Sequence, residues 1–185
     1  TDIKVPDIVT DRILTEVSGT KTWDDNNDQD GKRPESITVR LYANGVEVAS
    51  MSVTEAMGWT YNFANLTKYA NGVEIVYTIT EDAVEGYTTV INGFEITNTY
   101  KPEETQVTVN KIWNDANNQD GKRPGSITVT LLANGEKVTT QEITAEMGWT
   151  YTFENLPVYA NGQKIEYTIT EAEVEGYTTV INGFE

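Results

Sequence analysis

The sequence contains no histidine and no cysteine. Metal sites with imidazole or thiolate ligands, thiol nucleophiles and catalytic triads with a histidine base are therefore excluded. Disulfide bonds, which commonly reinforce small exported domains, are excluded as well. We expect neither a cofactor nor enzymatic turnover of an external substrate. Any covalent reinforcement of this chain must come from other side chains.

Basic residues are scarce, and long apolar segments are missing. The chain has 13 Lys and Arg against 29 Asp and Glu, which gives a formal net charge of −16. Nucleic acids and anionic membrane surfaces are bound through basic patches, so neither is an expected partner. No apolar run approaches the roughly 20 residues that a membrane-spanning helix needs. The negative charge instead favours a soluble monomer whose copies repel one another.

What the chain does contain is one module present twice, with a constant offset of 90 positions (111 − 21). The paired landmarks are Lys21-Thr22-Trp23 with Lys111-Ile112-Trp113, Asp-Gly-Lys-Arg-Pro at 30–34 and 120–124, Gly-Trp-Thr-Tyr at 58–61 and 148–151, and Tyr-Thr-Ile-Thr-Glu at 77–81 and 167–171. An offset of this length indicates a duplicated domain and not a solenoid repeat. We predict modules at 15–100 and 105–185, joined nearly end to end by an exposed linker at 101–104 that contains a proline.

Alternating apolar and polar residues predict an all-β fold. The strands contain many β-branched and aromatic residues, and Asn-Gly pairs mark tight turns because both residues tolerate positive φ. These pairs begin at Asn44, Asn71 and Asn92 and recur at Asn134, Asn161 and Asn182. Seven strands are predicted in the first module, near 15–23, 36–44, 46–53, 58–64, 74–81, 86–91 and 94–100. This number of short strands indicates a β-sandwich of two sheets.

Three polar residues interrupt this pattern of apolar and threonine-rich strands. Lys21 lies on the first predicted strand, Glu81 ends the fifth, and Asn98 lies on the last. The simplest interpretation is a Lys–Glu ion pair at a sheet edge, next to a hydrogen-bonded asparagine.

A second interpretation comes from the sequence around these residues. Lys-x-Trp-x-Asp-x-Asn at 21–27, Gln-Asp-Gly-Lys-Arg-Pro at 29–34, Tyr-Thr-Ile-Thr-Glu at 77–81 and Ile-Thr-Asn-Thr-Tyr at 96–100 together resemble the Cna B-type domain. That family has an inverse immunoglobulin-like or transthyretin-like sandwich fold and repeats in the stalks of Gram-positive surface adhesins and in pilins. The resemblance covers everything after the first 14 residues. It implies a spontaneous isopeptide bond between Lys21 and Asn98, promoted by Glu81.

The side chains suit that reaction. A lysine attacks only as a free amine, and burial lowers the pKa of an amine and raises that of a carboxyl. A protonated Glu81 would polarise the Asn98 carbonyl and relay the proton that leaves with ammonia. The bond would close a loop of 77 residues (98 − 21). By the loop-entropy argument used for disulfides, this stabilises the fold by roughly 4–5 kcal/mol.

The second module departs from the pattern because Glu185 matches Glu95, so the equivalent of residues 96–100 is missing. Lys111 and Glu171 match the lysine and the glutamate, but Lys111 has no asparagine partner in the chain. Three explanations remain: the sequence stops short of that strand, another chain supplies it, or residues 1–14 supply it with Asp7 or Asp11 as acceptor. Residues 1–14 have no counterpart in the second module and are an N-terminal extension, the tail of a preceding module or a loosely docked strand.

Two other features of the sequence resemble ligand sites. Residues 26–31 partly follow the oxygen-ligand spacing of a calcium loop, but Ile37 occupies its twelfth position and Ala116 replaces the first ligand in the second module. A polar surface loop is the better interpretation, and no metal is expected. Exposed tryptophans can stack on sugars, but the four in this chain lie in strand-like segments. They are predicted to be core residues or a cover over the Lys–Glu pair.

The function implied by the resemblance is structural. We expect stalk modules of an adhesin anchored to the cell wall, on the extracellular surface of a Gram-positive bacterium. Neighbouring modules of the same protein would be the direct partners, and another domain would bind the host ligand. The alternative is a module that binds host matrix or glycan itself, which requires an exposed apolar or aromatic patch.

Overall fold

A computed structural model describes all 185 residues. The chain divides into two compact units, one formed by residues 1–27 and 32–101 and the other by residues 28–31 and 102–185. The first unit contains nine strands: β1 Leu14–Asp24, β2 Ser36–Ala43, β3 Val46–Thr54, β4 Thr60–Thr67, β5 Tyr69–Ala70, β6 Val73–Glu74, β7 Tyr77–Glu81, β8 Thr88–Asn92 and β9 Glu95–Thr99. A single 3₁₀ turn, Glu55–Met57, connects β3 to β4.

Two sheets enclose the core of the first unit. One has the strand order β4-β1-β9-β8, the other has the order β3-β2-β7, and β5 and β6 form a separate small hairpin. Inward-facing side chains of both sheets pack together, as the alternation predicts. They include Val17, Tyr61, Phe63 and Ile96 from the first sheet and Ile37, Val39, Leu41, Val53 and Ile79 from the second. The predicted all-β sandwich is confirmed.

Strand β1 changes partner along its length. Its residues 14–20 pair antiparallel with β4, and residues 21–24 pair parallel with β9. The first and last strands of the unit are therefore neighbours in one sheet. Lys21 occupies the position at which the partner changes.

Several predicted boundaries were wrong for local reasons. The segment 74–81 is not one strand, because the chain bends at Ile75 and Val76, where their N–H groups donate to the Lys68 carbonyl and the Asn44 side chain. The hairpin of β5 and β6 was missed, so Glu81 ends the seventh strand and not the fifth. Strand β4 begins at Thr60 instead of residue 58, because Gly58 and Trp59 adopt positive φ.

In the first unit, the observed turns match the predicted Asn-Gly turns at two of three sites. Asn44 and Asn71 have φ of 48° and 50°, and each is followed by a glycine with positive φ, as a two-residue turn of this type requires. Asn92 instead ends β8, and the turn is formed by Gly93 and Phe94. Gly93 supplies the positive φ there, at 66°.

The second unit repeats this architecture in part. Its strands are β10 Glu104–Asn110, β11 Ser126–Ala133, β12 Glu136–Thr144, β13 Thr150–Pro157, β14 Tyr159–Ala160, β15 Gln163–Lys164 and β16 Tyr167–Glu171, with a 3₁₀ turn at Ala145–Met147. They form the sheets β10-β13 and β12-β11-β16 and the hairpin β14-β15. Lys111 lies just beyond the end of β10. Strand β10 begins at Glu104, which was predicted to belong to the linker.

Residues 1–13 have no regular secondary structure, and all of them are exposed. Ile3 and Ile8 retain 91% and 95% of their accessible surface. The interpretation of this segment as a docked strand is therefore wrong, and Asp7 and Asp11 lie in no strand. The two helical turns span three residues each, and neither is long or apolar enough to cross a bilayer.

Candidate functional site

The three polar residues of the first unit occupy inward positions of their strands. Side chains alternate between the two faces of a strand, so the residue two positions after a core residue also faces the core. Glu81 follows the buried Ile79 on β7, and Asn98 follows the buried Ile96 on β9. Lys21 continues the inward face of β1 and is only 3% exposed. The sandwich thus brings a cation, an anion and an amide into one apolar interior.

Lys21 and Glu81 form a buried ion pair between the two sheets. The Lys21 Nζ lies 2.9 Å from the Glu81 Oε2, and neither side chain is accessible to water. The other carboxylate oxygen, Oε1, accepts a hydrogen bond of 2.9 Å from the Thr89 hydroxyl on β8. The interpretation as a pair at a sheet edge is wrong, because the pair lies in the interior. Thr89 was not identified from the sequence.

Burial lowers the pKa of the Lys21 amine below its ordinary value. The hydrogen bond to Glu81 and the charges of Glu81 and Asp25 oppose this effect, whereas the charge of Arg33 adds to it. Loss of water is the largest of these contributions. A lowered pKa increases the fraction of the amine that is neutral, and only the neutral amine is a nucleophile.

Asn98 is completely buried, and its amide nitrogen and oxygen both lack a hydrogen-bond partner. A buried polar group without a partner costs about 1–3 kcal/mol, so such groups are rare in folded proteins. The parallel register pairs Lys21 with Ile96 and Trp23 with Asn98, which places Lys21 and Asn98 on the same face of the sheet. The expected hydrogen-bonded asparagine is therefore absent, and an amide without partners lies beside the lysine strand.

Trp23 covers the amine. The Lys21 Nζ lies 4.0 Å from the centroid of the Trp23 ring, which confirms the prediction of a cover over the Lys–Glu pair. Trp59 and Tyr87 contact the Trp23 ring edge-to-face at centroid distances of 5.2 and 5.1 Å. Trp23 and Trp59 also pack against the core, which limits the access of water to the pair.

The backbone of Trp59 also holds the lysine in place. Its carbonyl accepts the Lys21 N–H at 2.7 Å. Trp59 has φ of 54°, which is uncommon for a bulky residue, and Trp149 of the second unit has φ of 56°. Lys111 N–H donates to the Trp149 carbonyl in the same way, at 2.8 Å. Both units therefore keep an unfavourable conformation at the position that fixes the lysine backbone.

A second polar cluster, not predicted from the sequence, lies around Asp25. Asp25 is 1% exposed and accepts two hydrogen bonds from the Arg33 guanidinium, at 3.1 and 2.7 Å, and one of 2.7 Å from the Tyr87 hydroxyl. The signal was present, because all three residue types recur 90 positions later at Asp115, Arg123 and Tyr177. The repeated spacing alone does not show that the three side chains are in contact, because Tyr87 lies far from Asp25 and Arg33 in the sequence.

The second unit holds most of the same arrangement. Lys111 Nζ lies 2.8 Å from the Glu171 Oε2, and Thr179 donates to Oε1 at 2.9 Å. The Lys111 and Glu171 side chains retain 16% and 7% of their accessible surface, whereas Lys21 and Glu81 retain none. An open groove of about 280 Å³ adjoins the pair and is lined in part by Val109, Ile112, Ile127, Val129 and Ile169. No group of three or more acidic side chains is arranged to hold a metal ion.

Comparison with known proteins identifies the modules. The sequence model of the Cna protein B-type domain matches twice, at residues 17–99 and 107–185. The chain belongs to the Cna B-type domain family. Domains of this family are structural and are not enzymes. The matched ranges agree with the duplication and place Lys21, Glu81 and Asn98 within the first domain and Lys111 and Glu171 within the second.

The relatives of these Cna B-type domains are parts of a surface protein. The collagen adhesin of Staphylococcus aureus is 47% identical over 176 residues, which are 91% of this chain and 15% of that protein. The crystal structure of a single B repeat unit of the S. aureus collagen-binding surface protein is 47% identical, with 92% of each chain covered and a TM-score of 0.48. A structure of two such units is 46% identical over 93% of this chain and 47% of that one, with a TM-score of 0.48.

Proposed function

We propose that these two Cna B-type domains are stalk modules of a bacterial surface adhesin, and that a spontaneous amide bond between Lys21 Nζ and Asn98 Cγ reinforces the first. One observation carries the proposal: a fully buried Lys–Glu pair shares its interior with an asparagine amide that has no hydrogen-bond partner. An ordinary buried asparagine would be hydrogen-bonded. Conversion of this amide and amine to a secondary amide would remove one buried charged group and one costly amide.

The reaction can be written with the side chains that are present. A proton passes from the Lys21 ammonium to the Glu81 carboxylate over the 2.9 Å contact, which leaves a neutral amine and a neutral acid. Nζ attacks the Asn98 Cγ while the Glu81 acid polarises its carbonyl. Glu81 then relays a proton from Nζ to the Asn98 nitrogen, the Cγ–N bond breaks, and ammonia leaves. Each chain reacts once and consumes its own side chains. The reaction therefore does not turn over an external substrate.

Burial and fixed geometry both favour the reaction between Lys21 and Asn98. The apolar interior favours the neutral pair over the charged pair, and the sheet register holds nucleophile and acceptor on one face. The two units differ in this respect: the pair is fully buried where β9 is present, but Lys111 and Glu171 remain partly exposed in the second unit. In the first unit β9 thus carries the acceptor and lies in the sheet next to the strand of the lysine.

Intact mass measured under denaturing conditions tests the bond. The wild-type chain should be lighter than its sequence mass by one ammonia, and Lys21→Ala, Glu81→Gln and Asn98→Ala should each restore the full mass. Lys111→Ala is the matched control and should still lose one ammonia. A wild-type chain of full mass would refute the bond, and two ammonia losses would mean that Lys111 has an acceptor.

The stalk role is supported by the family and by the duplication. The chain covers 15% of the length of the collagen adhesin, so the binding activity of the complete protein is a separate question. We propose that the domains extend from the cell wall of a Gram-positive bacterium and that another part of the protein binds the host ligand. Immobilised collagen should not retain the isolated chain. Tight and saturable binding would assign the adhesive function to these domains.

A further inference from the structure

We propose that Asp25 and Arg33 are positioning residues for the reaction at Lys21, and that they act through Trp23 and through the charge that they place beside the amine. This inference rests on the proposed isopeptide bond. It assigns a role to a buried cluster that the reaction itself does not consume.

The geometry links the cluster to the amine. Two cations contact the Trp23 ring, with the Lys21 Nζ at 4.0 Å and the Arg33 guanidinium carbon at 5.4 Å from its centroid. The two hydrogen bonds from Arg33 to Asp25 fix the guanidinium, and Tyr87 binds Asp25 and also contacts the ring edge. A rotation of Trp23 away from the amine would therefore disrupt contacts on several sides.

The cluster also determines the charge that Lys21 faces. The charged groups near its amine are Glu81 on β7, Asp25 immediately after β1, and Arg33 in the loop before β2. Asp25 raises the pKa of Lys21, and Arg33 lowers it. Arg33 thus offsets a carboxylate that would otherwise favour the unreactive ammonium form.

The second unit repeats this arrangement around Lys111. Arg123 binds Asp115 through Nε at 3.0 Å and through Nη2, and the Tyr177 hydroxyl donates to Asp115 at 2.8 Å. Two cations again contact one ring, because Lys111 Nζ lies 4.4 Å and the Arg123 guanidinium carbon 5.2 Å from the Trp113 centroid. The cluster therefore accompanies the lysine in both units.

The test requires a complete chain that has never folded, because a folded wild-type chain would already have reacted. Total chemical synthesis by peptide ligation supplies the full chain in denaturant, and dilution into buffers of different pH starts folding. Tryptophan fluorescence follows folding, and intact mass of samples quenched in acid follows the loss of ammonia. The variants are Arg33→Gln, Asp25→Asn and the double variant, with Arg123→Gln as the matched control in the second unit.

Removal of a neighbouring positive charge raises the pKa of the Lys21 amine, and removal of a negative charge lowers it. We expect Arg33→Gln to move the acid limb of the pH–rate profile to higher pH, with ammonia loss about tenfold slower at a fixed pH on that limb. Asp25→Asn should move the acid limb to lower pH. The double variant should return it close to the wild-type position, and Arg123→Gln should have no effect.

The outcomes separate this inference from the proposed bond. A wild-type chain that folds without losing ammonia refutes the bond itself. A wild-type chain that reacts, with variants whose pH–rate profiles do not move, refutes the proposal, because charges that act on the amine must shift the profile whether or not the rate also falls. If Arg33→Gln does not fold, the double variant decides, because it contains no unpaired buried charge. A double variant that folds but keeps a displaced profile also overturns the proposal.

Discussion

Trp23 on β1 and Asn98 on β9 are direct partners in a parallel register, although 75 positions separate them (98 − 23). Side chains two positions apart share a face of the sheet, so Lys21 lies on the same inward face as Asn98. One pairing of strands therefore sets the positions of Trp23, Lys21 and Asn98 together. A shift of the register by one residue would turn Asn98 away from the interior.

The first prediction concerns stability. Glu81→Gln should block the bond and leave Lys21 and Asn98 in place, and the free energy of unfolding of the first unit should fall by roughly 4–5 kcal/mol as the loop of 77 residues opens. Denaturant unfolding, with fluorescence from the tryptophans, measures the change. Glu171→Gln in the second unit is the control for the loss of a carboxylate alone. Equal losses in the two variants would contradict a covalent contribution.

The second prediction concerns the hydroxyl that binds the glutamate. Thr89 donates to the Glu81 oxygen that the lysine does not contact, so Thr89→Val should leave that carboxylate less well fixed. A hydrogen bond to a charged group contributes about 1.5–3 kcal/mol. If its loss is felt fully in the transition state, ammonia should be lost about tenfold more slowly or slower still. Time-resolved intact mass during folding measures the rate. Thr179→Val, the same change in the second unit, should leave the rate unaltered, and a matching decrease there would argue against a direct role for Thr89.

The third prediction concerns pH. Asn98→Leu removes the acceptor and leaves Lys21 as a buried amine with a pKa below its ordinary value. The unfolded state then binds the lysine proton more tightly than the folded state, so stability increases as pH rises towards the ordinary lysine pKa of about 10.4. Urea unfolding at several pH values should show this increase. It should vanish when Lys21→Met is added, and it should be absent from the cross-linked wild type because an amide does not titrate.

The fourth prediction concerns mechanical extension. With the bond formed, a force applied to the chain ends passes from Lys21 to Asn98 and bypasses the residues between them. Single-molecule force spectroscopy of the wild type should therefore show one full unfolding event, from the second unit. Lys21→Ala should show two such events of similar contour length. Two events in the wild type would mean that the first unit unfolds completely under load.

Much of the site could be predicted because it follows from alternation. Lys21, Glu81 and Asn98 are polar residues at positions where the strand pattern requires core residues, and family motifs gave them roles. Thr89 and the cluster around Asp25 could not be found in this way, since threonine is ordinary in a strand and the cluster joins a loop to a distant tyrosine. The positive φ of Trp59 also has no sequence signal, because only the fold around it compensates for its cost.

The change of partner along β1 leaves residues 14–20, whose backbone pairs with β4, outside the loop that the proposed bond would close. A pull on the amino-terminal side would detach this stretch first, but its seven residues are already extended in the strand and span about 24 Å at about 3.4 Å each, so little chain length would be released. The chain would then become taut at the amide bond. The stretch would act as a short tether, and the remaining tension would pass through the bond without unfolding the core.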